Sequence, residues 1–436
     1  MPIINFRQFY NKRLRKQFSL HILSKRKFSF EIFFSILIIV GIPLNLYKNR
    51  FYDNSWTVGE WLISYAGGFV RRGLPGEIIH FISYKYYFSP ILIVWFFSVI
   101  ALICLALLVL YFCKNLFDKS FLLSQLIILA PLSEDYFVRK DSFLVLSYGL
   151  SLLILKAFHK KKINKFITFL GVNFISMIAI FSHESYGIWG LPSLLIIFFI
   201  FEKNNKRNIF QSFLSSTLFL IPSIFSFFLC WLFKGDINHS LIIHQSWQAM
   251  DDLMPSISAL YEKEPSGAIA AIGWGTSQIF SSSLISQFNL LIFWHPGMWL
   301  LTIYVAIKLF LGKKKDLNQK LKRTIVCSQL IAFLPMFLFV DIGRWIFMWL
   351  TSSALLFSFL YQTFGLRKLL HFSSSLKGEQ ILAKIIPEFS SIRNYNYFLL
   401  FFGIPHCCWS LGRYLVSNPI GFSIKNIIFY SKFLLP

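Results

Sequence analysis

Residues 56–77, WTVGEWLISYAGGFVRRGLPGE, place two adjacent arginines and five glycines between two long apolar stretches, 28–47 and 89–113. Each flanking stretch reaches the roughly 20 residues that a helix needs to cross a bilayer. Charged side chains at the edge of a bilayer are costly unless an anionic group meets them. The stretch therefore predicts an anion-binding segment on one face of a membrane.

The composition of the whole chain is typical of a membrane protein. Of its 436 residues, 56% are hydrophobic, 52 are phenylalanine and only 14% are charged, against about 25% charged residues in soluble domains. The formal net charge is +24, but the basic residues fall in short clusters between apolar runs, as anchors that face anionic lipid do. We therefore expect the lipid bilayer as a partner and exclude nucleic acid.

The apolar runs predict an all-α fold, a polytopic transmembrane helix bundle of about 11 spans. The predicted spans are 28–47, 89–113, 120–133, 142–158, 164–182, 186–202, 209–233, 290–312, 324–340, 345–364 and 397–416. Amphipathic helices are expected in the first and the longest of the outer loops. The predicted order is a basic cytoplasmic tail at 1–27, the bundle at 28–364 with outer loops at 48–88 and 234–289, a cytoplasmic loop at 365–396, and a last span with a C-terminal tail at 397–436.

The distribution of charge orients the bundle. If the N-terminus is cytoplasmic and the spans alternate, the inner segments carry 30 of the 43 Lys and Arg residues but only 6 of the 19 Asp and Glu residues. Cytoplasmic loops of membrane proteins carry such an excess of basic residues. We therefore predict an integral membrane protein with a cytoplasmic N-terminus, and the polar clusters described next then fall on the outer side.

Arg71 and Arg72 follow Gly67 and Gly68 directly. Guanidinium groups bind phosphate through paired hydrogen bonds, and glycines let backbone N–H groups approach the same anion. These four residues are therefore candidates for binding a phosphate or pyrophosphate. The alternative is that the arginines only reach out to lipid headgroups.

Two carboxylates precede the arginines, Asp53 and Glu60. A carboxylate beside a bound sugar phosphate can remove the proton of an acceptor hydroxyl, so both are candidate catalytic residues. The alternative is that each pairs with an arginine and stabilises the loop.

Residues 134–141, EDYFVRKD, alternate acidic and basic groups. Asp135 is a candidate catalytic residue, and Arg139 and Lys140 are candidate substrate ligands; alternatively Asp135 and Arg139, four residues apart, form an ion pair on a helix. Hard cations take carboxylate oxygens, so a divalent cation held by Glu134 and Asp135 stays an alternative. Adjacent carboxylates alone are weak evidence for a metal, and we assign no metal ligand and no cofactor.

His183 and Glu184 lie between two predicted spans, and Arg344 lies between two others. Glu184 is a candidate acid or base and His183 a candidate ligand of sugar hydroxyls, although Glu184 could simply favour the start of the next helix. Arg344 either pairs with Asp341 across a glycine turn or meets a second phosphate.

The order of these features resembles that of GT-C type membrane glycosyltransferases, which have a cytoplasmic N-terminus, a first outer loop with juxtamembrane helices and a catalytic acid, and a short acidic second outer loop. The resemblance covers about the first seven spans. The phrase GGFVRRGL at 67–74 also looks like one in uncharacterised bacterial membrane proteins associated with surface-polysaccharide genes, which are similar in outline to O-antigen polymerases. This chain departs from GT-C enzymes in lacking a clear Asp-x-Asp motif in the first outer loop and a folded outer C-terminal domain.

The resemblance implies a metal-independent glycosyltransferase of a bacterial inner membrane that uses a polyprenyl-phosphate-linked sugar on the periplasmic face for cell-surface glycan assembly. Arginines would hold the lipid phosphate, and a carboxylate would take the acceptor's proton. Two alternatives stay open. One is an O-antigen-type polymerase or ligase that engages polyprenyl pyrophosphate, and the other is a lipid-glycan flippase or transporter. The sequence does not indicate the sugar, the acceptor or the oligomeric state.

Overall fold

The structure, a computed structural model, describes residues 39–48, 50, 54–117, 119–124, 126–132, 136–204, 208–250, 263–274, 317–335, 342–374, 424 and 428. All regular secondary structure within these ranges is helical. The predicted all-α class is therefore confirmed.

The helices after a helical stretch at 39–48 are numbered in chain order. They are α1 Gly73–Tyr86, α2 Pro90–Cys113, α3 Lys119–Leu122, α4 Asp141–His159, α5 Lys165–Ser182, α6 Ser185–Asn204, α7 Ile209–Phe219, α8 Ile221–Leu232, α9 Ile237–Gln248, α10 Gly267–Ala270, α11 Leu317–Phe333 and α12 Ile342–Ser374. Short 3-10 turns lie at Ala130–Leu132, Tyr136–Val138 and Ala271–Gly273.

Five of the described helices are long and apolar enough to cross a membrane. They are α2, α4, α5, the part of α6 at 185–202 and the part of α12 at 343–365. Helices α7 and α8 meet at an angle of 62° and add a sixth span if they count as one; Pro222 at the start of α8 lacks the N–H that would continue the helix. The predicted spans at 290–312 and 397–416, and most of the predicted loop at 365–396, lie outside the described residues, so the count of about 11 stays a prediction.

The prediction of a spanning helix at 120–133 is wrong. Helix α3 ends after four residues, and the Ser124 hydroxyl donates to the Phe121 carbonyl and accepts from the Leu126 N–H, which gives the backbone an alternative to helical bonding. The described residues that follow are nearly all buried in protein, the condition under which non-helical backbone is tolerated at membrane depth.

The spanning helices bring the ends of four segments to one end of the bundle. Helix α4 packs on α2, α5 and α12, and α11 packs on α6 and α12. Because α5 runs antiparallel to both α4 and α6, the end of α5 lies beside the starts of α4 and α6, and the start of α12 joins them there through a side-chain contact between Arg344 and Asp141. We call this end, marked by Asp141, Ser182, Ser185 and Arg344, the polar end.

The loop at 54–72 folds onto the polar end. The indole N–H of Trp61 donates to the Val138 carbonyl, and that of Trp247 in α9 donates to the Leu62 carbonyl over 2.7 Å. Gly76 in α1 lies so close to this loop that a Cβ there would be 1.9 Å from the Ile63 carbonyl oxygen. The loop is therefore fixed in place by its neighbours. Both predicted outer loops contain a helix, α1 in the first and α9 in the longest, whereas residues 251–262 of the longest loop lie outside the described part.

Candidate functional site

Charged side chains from four separate segments meet at the polar end. They come from the loop at 54–72, the start of α4, the turn between α5 and α6, and the start of α12. We call them the charged cluster: Glu60, Arg71, Arg72, Lys140, Asp141, His183, Glu184 and Arg344. The predicted topology places the loop with Arg71 and Arg72 and the turn with His183 and Glu184 on the same side of the membrane, and in the structure these four residues lie together.

Three members of the charged cluster are partly accessible. The Arg72 Nε donates to Glu184 Oε2 over 2.7 Å, and the Arg72 Nη2 donates to Glu184 Oε1. Arg71 makes a longer bond, 3.4 Å, from its Nη1 to the same Oε1. The side chains of Arg71, Arg72 and Glu184 are 18%, 25% and 16% exposed. The buried Nε of Arg71 has no hydrogen-bond partner among the described residues, so one N–H donor of this guanidinium is unsatisfied in the structure.

The backbone at Arg72 adopts a conformation that is rare for a residue with a side chain. Its φ is +68° and its ψ is 2°, in the left-handed region that costs non-glycine residues roughly 1–2 kcal/mol. The residue before it is held by a bond from the Arg71 N–H to the Phe233 carbonyl over 2.9 Å. Such strained residues cluster at functional sites, where the surrounding structure fixes them.

The two glycines predicted to meet an anion have other contacts. The Gly68 N–H donates to the Tyr65 carbonyl over 2.9 Å, and the φ of Gly68 is +107°. A Cβ at Gly67 would lie 3.3 Å from the backbone of His239 in α9. These glycines shape the turn that presents Arg71 and Arg72, and the Gly68 N–H is already engaged within the loop.

Behind the accessible residues lies a buried pair, Glu60 and His183. The His183 Nε2 lies 3.2 Å from Glu60 Oε1, and the His183 Nδ1 accepts from the Ser185 N–H over 3.2 Å. These partners assign the ring proton to Nε2 and make the imidazole neutral. Burial and the neighbouring Arg72 lower the pKa of His183, in agreement with that assignment. Although burial would raise it, Arg344 and His183 hold the pKa of Glu60 well below its usual range.

Arg344 joins this pair to α4. Its Nε and Nη2 donate to the two carboxylate oxygens of Asp141 over 2.8 and 2.7 Å, and its Nη2 lies 3.7 Å from Glu60 Oε1. The side chains of Arg344 and Asp141 are buried, with 6% and 1% exposed. The structure shows that Arg344 forms an ion pair with Asp141; Asp341 lies outside the described residues, so the predicted pairing of Arg344 with Asp341 stays a prediction.

Lys140 is fully buried and ties two backbone segments together. Its Nζ donates to the Ser182 carbonyl at the end of α5 over 3.0 Å and to the Arg72 carbonyl over 3.4 Å. Burial lowers the pKa of Lys140 to about 7, although Glu60 acts in the opposite direction. Lys140 thus contacts the strained backbone of Arg72 from the buried side. The neighbouring Arg139 is also buried, and its guanidinium lies 5.7 Å from the Tyr136 ring.

The depressed pKa of Lys140 predicts how stability depends on pH. Between about pH 7 and the usual value of 10.5, the unfolded chain holds a proton that the folded lysine has released, so the free energy of unfolding rises with pH, by up to about 1.4 kcal/mol per pH unit. We expect the melting temperature of the native protein in detergent to rise more steeply across this range than that of Lys140→Met. Equal slopes for the two proteins would contradict the prediction.

Four residues singled out in the sequence cannot be placed. Asp53, Glu134, Asp135 and Asp341 lie outside the described residues, as does the candidate divalent-cation site. Asp141 was not predicted from the sequence as a site residue. A carboxylate at the first position of a spanning helix nevertheless indicates a buried partner.

This arrangement can bind an anion and transfer a proton. Two adjacent guanidiniums beyond the ends of the spanning helices provide directed N–H donors for a phosphate, and such fixed donors are most effective where water is partly excluded. A carboxylate lies directly between them. Within the described residues, His, Cys, Asp and Glu side chains form no group suited to a metal ion.

Comparison with known proteins gives one match. Residues 30–236, somewhat under half of the chain, match the family described as "Uncharacterised membrane protein Rv1490". This range includes all of the charged cluster except Arg344. No curated protein and no solved structure matches the chain. The match and the apolar helices together identify an integral membrane protein that is similar, over residues 30–236, to this membrane protein family.

Proposed function

We propose that the chain is a membrane glycosyltransferase that takes a sugar from a polyprenyl-phosphate donor at the polar end of the bundle. The observation that carries the proposal is the pair Arg71 and Arg72, partly exposed and side by side, with Glu184 between them. A phosphate that is attached to a lipid chain reaches an enzyme at the membrane edge, where these side chains lie.

The arginines would act on the donor's phosphate. A guanidinium binds two phosphate oxygens at once and keeps its charge at any physiological pH. As the bond between the sugar and the phosphate breaks, negative charge grows on the leaving oxygen, and donors already aimed at that oxygen lower the barrier. Arg71 supplies an N–H group that has no partner in the described structure, and Arg72 supplies a fork of two.

The buried members of the charged cluster would position the accessible ones. Lys140 contacts the Arg72 backbone, and Glu60 orients His183. Both Glu60 and Asp141 are too deeply buried to meet an acceptor sugar without movement, since their side chains are 4% and 1% exposed. This arrangement favours support rather than direct proton transfer as the role of Glu60.

The location of the charges favours an enzyme over a transporter. Transporters typically place ionisable groups near the middle of the membrane, on interrupted helices. Here Arg71 and His183 both approach Glu184, at 3.4 and 3.8 Å, beyond the ends of the spanning helices. The exposed lysines at 160–162, between α4 and α5, lie at the opposite end. By the positive-inside rule that end is cytoplasmic, and the charged cluster would then face the periplasm of a bacterial inner membrane.

The cell-surface glycan of a deletion strain tests the proposal. We expect mass spectrometry to show a glycan that lacks one sugar and that the native gene restores it, whereas a gene with both Arg71→Ala and Arg72→Ala does not. Loss of long chains with intact single repeats would indicate a polymerase instead. An unchanged glycan in the deletion strain would contradict both.

A further inference from the structure

We infer that Glu184 occupies the phosphate site of the empty protein and becomes the base that deprotonates the acceptor once the donor's phosphate has displaced it from the arginines. The inference rests on the proposed function and adds which carboxylate acts and when.

The contacts of Glu184 place it where a phosphate would bind. Both of its carboxylate oxygens accept hydrogen bonds from Arg72, and Oε1 accepts another from Arg71. A carboxylate held in this forked geometry uses the same donors that a phosphate needs. A donor phosphate can therefore engage both arginines only if Glu184 gives up part of its bonding.

Glu184 is also the most accessible of the three described carboxylates in the charged cluster. Its side chain is 16% exposed, against 4% for Glu60 and 1% for Asp141. It precedes α6 directly, at the turn after α5, and so lies at the edge of the cluster. An acceptor hydroxyl that reaches the bound donor would meet Glu184 before either of the others.

The electrostatic surroundings of Glu184 explain why it would be a base only with the donor bound. Although burial would raise it, the charges of Arg72 and Arg71 hold the pKa of Glu184 well below its usual range, so without a bound donor it is a weak base. A bound phosphate takes over the arginine N–H donors and adds negative charge nearby. Both changes favour the protonated carboxyl and raise the pKa of Glu184.

The transfer step then balances as follows. The acceptor O–H proton moves to Glu184, and the acceptor oxygen forms a bond to the anomeric carbon of the sugar. The bond from that carbon to the phosphate oxygen breaks, and its electron pair stays on polyprenyl phosphate, whose charge Arg71 and Arg72 stabilise. When polyprenyl phosphate leaves, Glu184 returns its proton to water and binds the arginines again.

Two measurements on the full-length protein test the inference, with farnesyl phosphate as the probe. In calorimetric titrations we expect Glu184→Gln to bind farnesyl phosphate about 3- to 10-fold more tightly than the native protein, because the amide no longer competes as an anion. In the deletion strain we expect the same variant to restore at least about 100-fold less product, the usual effect of losing a general base. Glu202→Gln is the matched control, since Glu202 pairs with Lys165 over 3.0 Å in a different part of the bundle, and both readouts should stay native.

The outcomes separate the inference from the proposed function. If Glu184→Gln restores the glycan at the native level, or binds farnesyl phosphate more weakly than the native protein, Glu184 is only a structural partner and the inference is wrong while the proposed function stands. If the native protein does not bind farnesyl phosphate, or binds inorganic phosphate more tightly, the donor is not a lipid phosphate and both fail.

Discussion

Replacing Arg72 by alanine is expected to lower sugar transfer by about 10³-fold while the protein still inserts and folds. The loss follows from the two N–H groups that Arg72 directs at Glu184, over 2.7 Å for Nε, and that would meet the donor's phosphate in the complex. Removing fixed donors to a developing negative charge costs about 10²–10³-fold, and removing a whole arginine up to 10⁵-fold. The measurement is product formed per inserted protein, with folding checked by the melting temperature in detergent.

Two further variants at the same position separate the side chain from the backbone. Arg72→Gly lacks the guanidinium as alanine does but adopts the observed φ of +68° without strain, so it should be as inactive as Arg72→Ala and more stable by roughly 1–2 kcal/mol. Arg72→Lys keeps the charge but not the fork, and we expect an intermediate rate. A fully active Arg72→Gly protein would show that only the backbone conformation matters and would refute phosphate binding by this side chain.

The polar end was predictable because charge counting assigns segments to a side of the membrane. Once the loop at 54–72, Lys140 and the turn at His183 fall on one side, the short connections between neighbouring spans bring them together. Charge counting assigns each segment to one side of the membrane, but it does not identify which side chains pair there. The sequence suggested Asp341 or a phosphate as a partner of Arg344. The partner that the structure shows, Asp141, is 203 positions away in the chain, and this pairing depends on how α4 and α12 pack.

Two other features were not predictable from local sequence patterns. Hydropathy treats 120–133 as a helix because it counts apolar residues, whereas the hydroxyl of Ser124 and the ring of Pro131 decide the backbone bonding there. The left-handed conformation at Arg72 also has no local signal, since Gly73 follows directly and would adopt it at lower cost. The backbone here is held by partners from distant parts of the chain: the Phe233 carbonyl accepts from the Arg71 N–H, and Lys140 donates to the Arg72 carbonyl.

Breaking the ion pair between Asp141 and Arg344 is expected to destabilise the protein by about 3–5 kcal/mol, whichever partner is removed. Both side chains are almost completely buried, and their two hydrogen bonds are 2.7 and 2.8 Å long. Asp141→Asn removes the carboxylate charge that is closest to Arg344 among the described residues, since Glu60 lies farther away, at 3.7 Å. Arg344→Met leaves the Asp141 carboxylate buried without this cation. The free energy of unfolding in detergent measures both losses.

Replacing both partners together provides the matched comparison. A buried ion pair exchanged for apolar residues of similar size is often neutral in stability, so Asp141→Leu with Arg344→Met should be more stable than either single variant. Lys165→Met breaks a pair whose lysine is 56% exposed and whose Glu202 is 10% exposed, so it should cost less than either single variant at Asp141 or Arg344. If the single variants at Asp141 and Arg344 cost as little as Lys165→Met, the pair does not hold α4 and α12 together.

The double variant also separates stability from activity. Arg344 faces Glu60, and Glu60 holds His183 directly behind Glu184, so an apolar pair that restores folding still leaves this buried support incomplete. We expect the double variant to be stable but to transfer sugar at least about tenfold more slowly than the native protein. A stable double variant with the native rate would mean that the ion pair only joins two helices. The accessible side chains of the charged cluster would then not depend on the buried charges of Asp141 and Arg344.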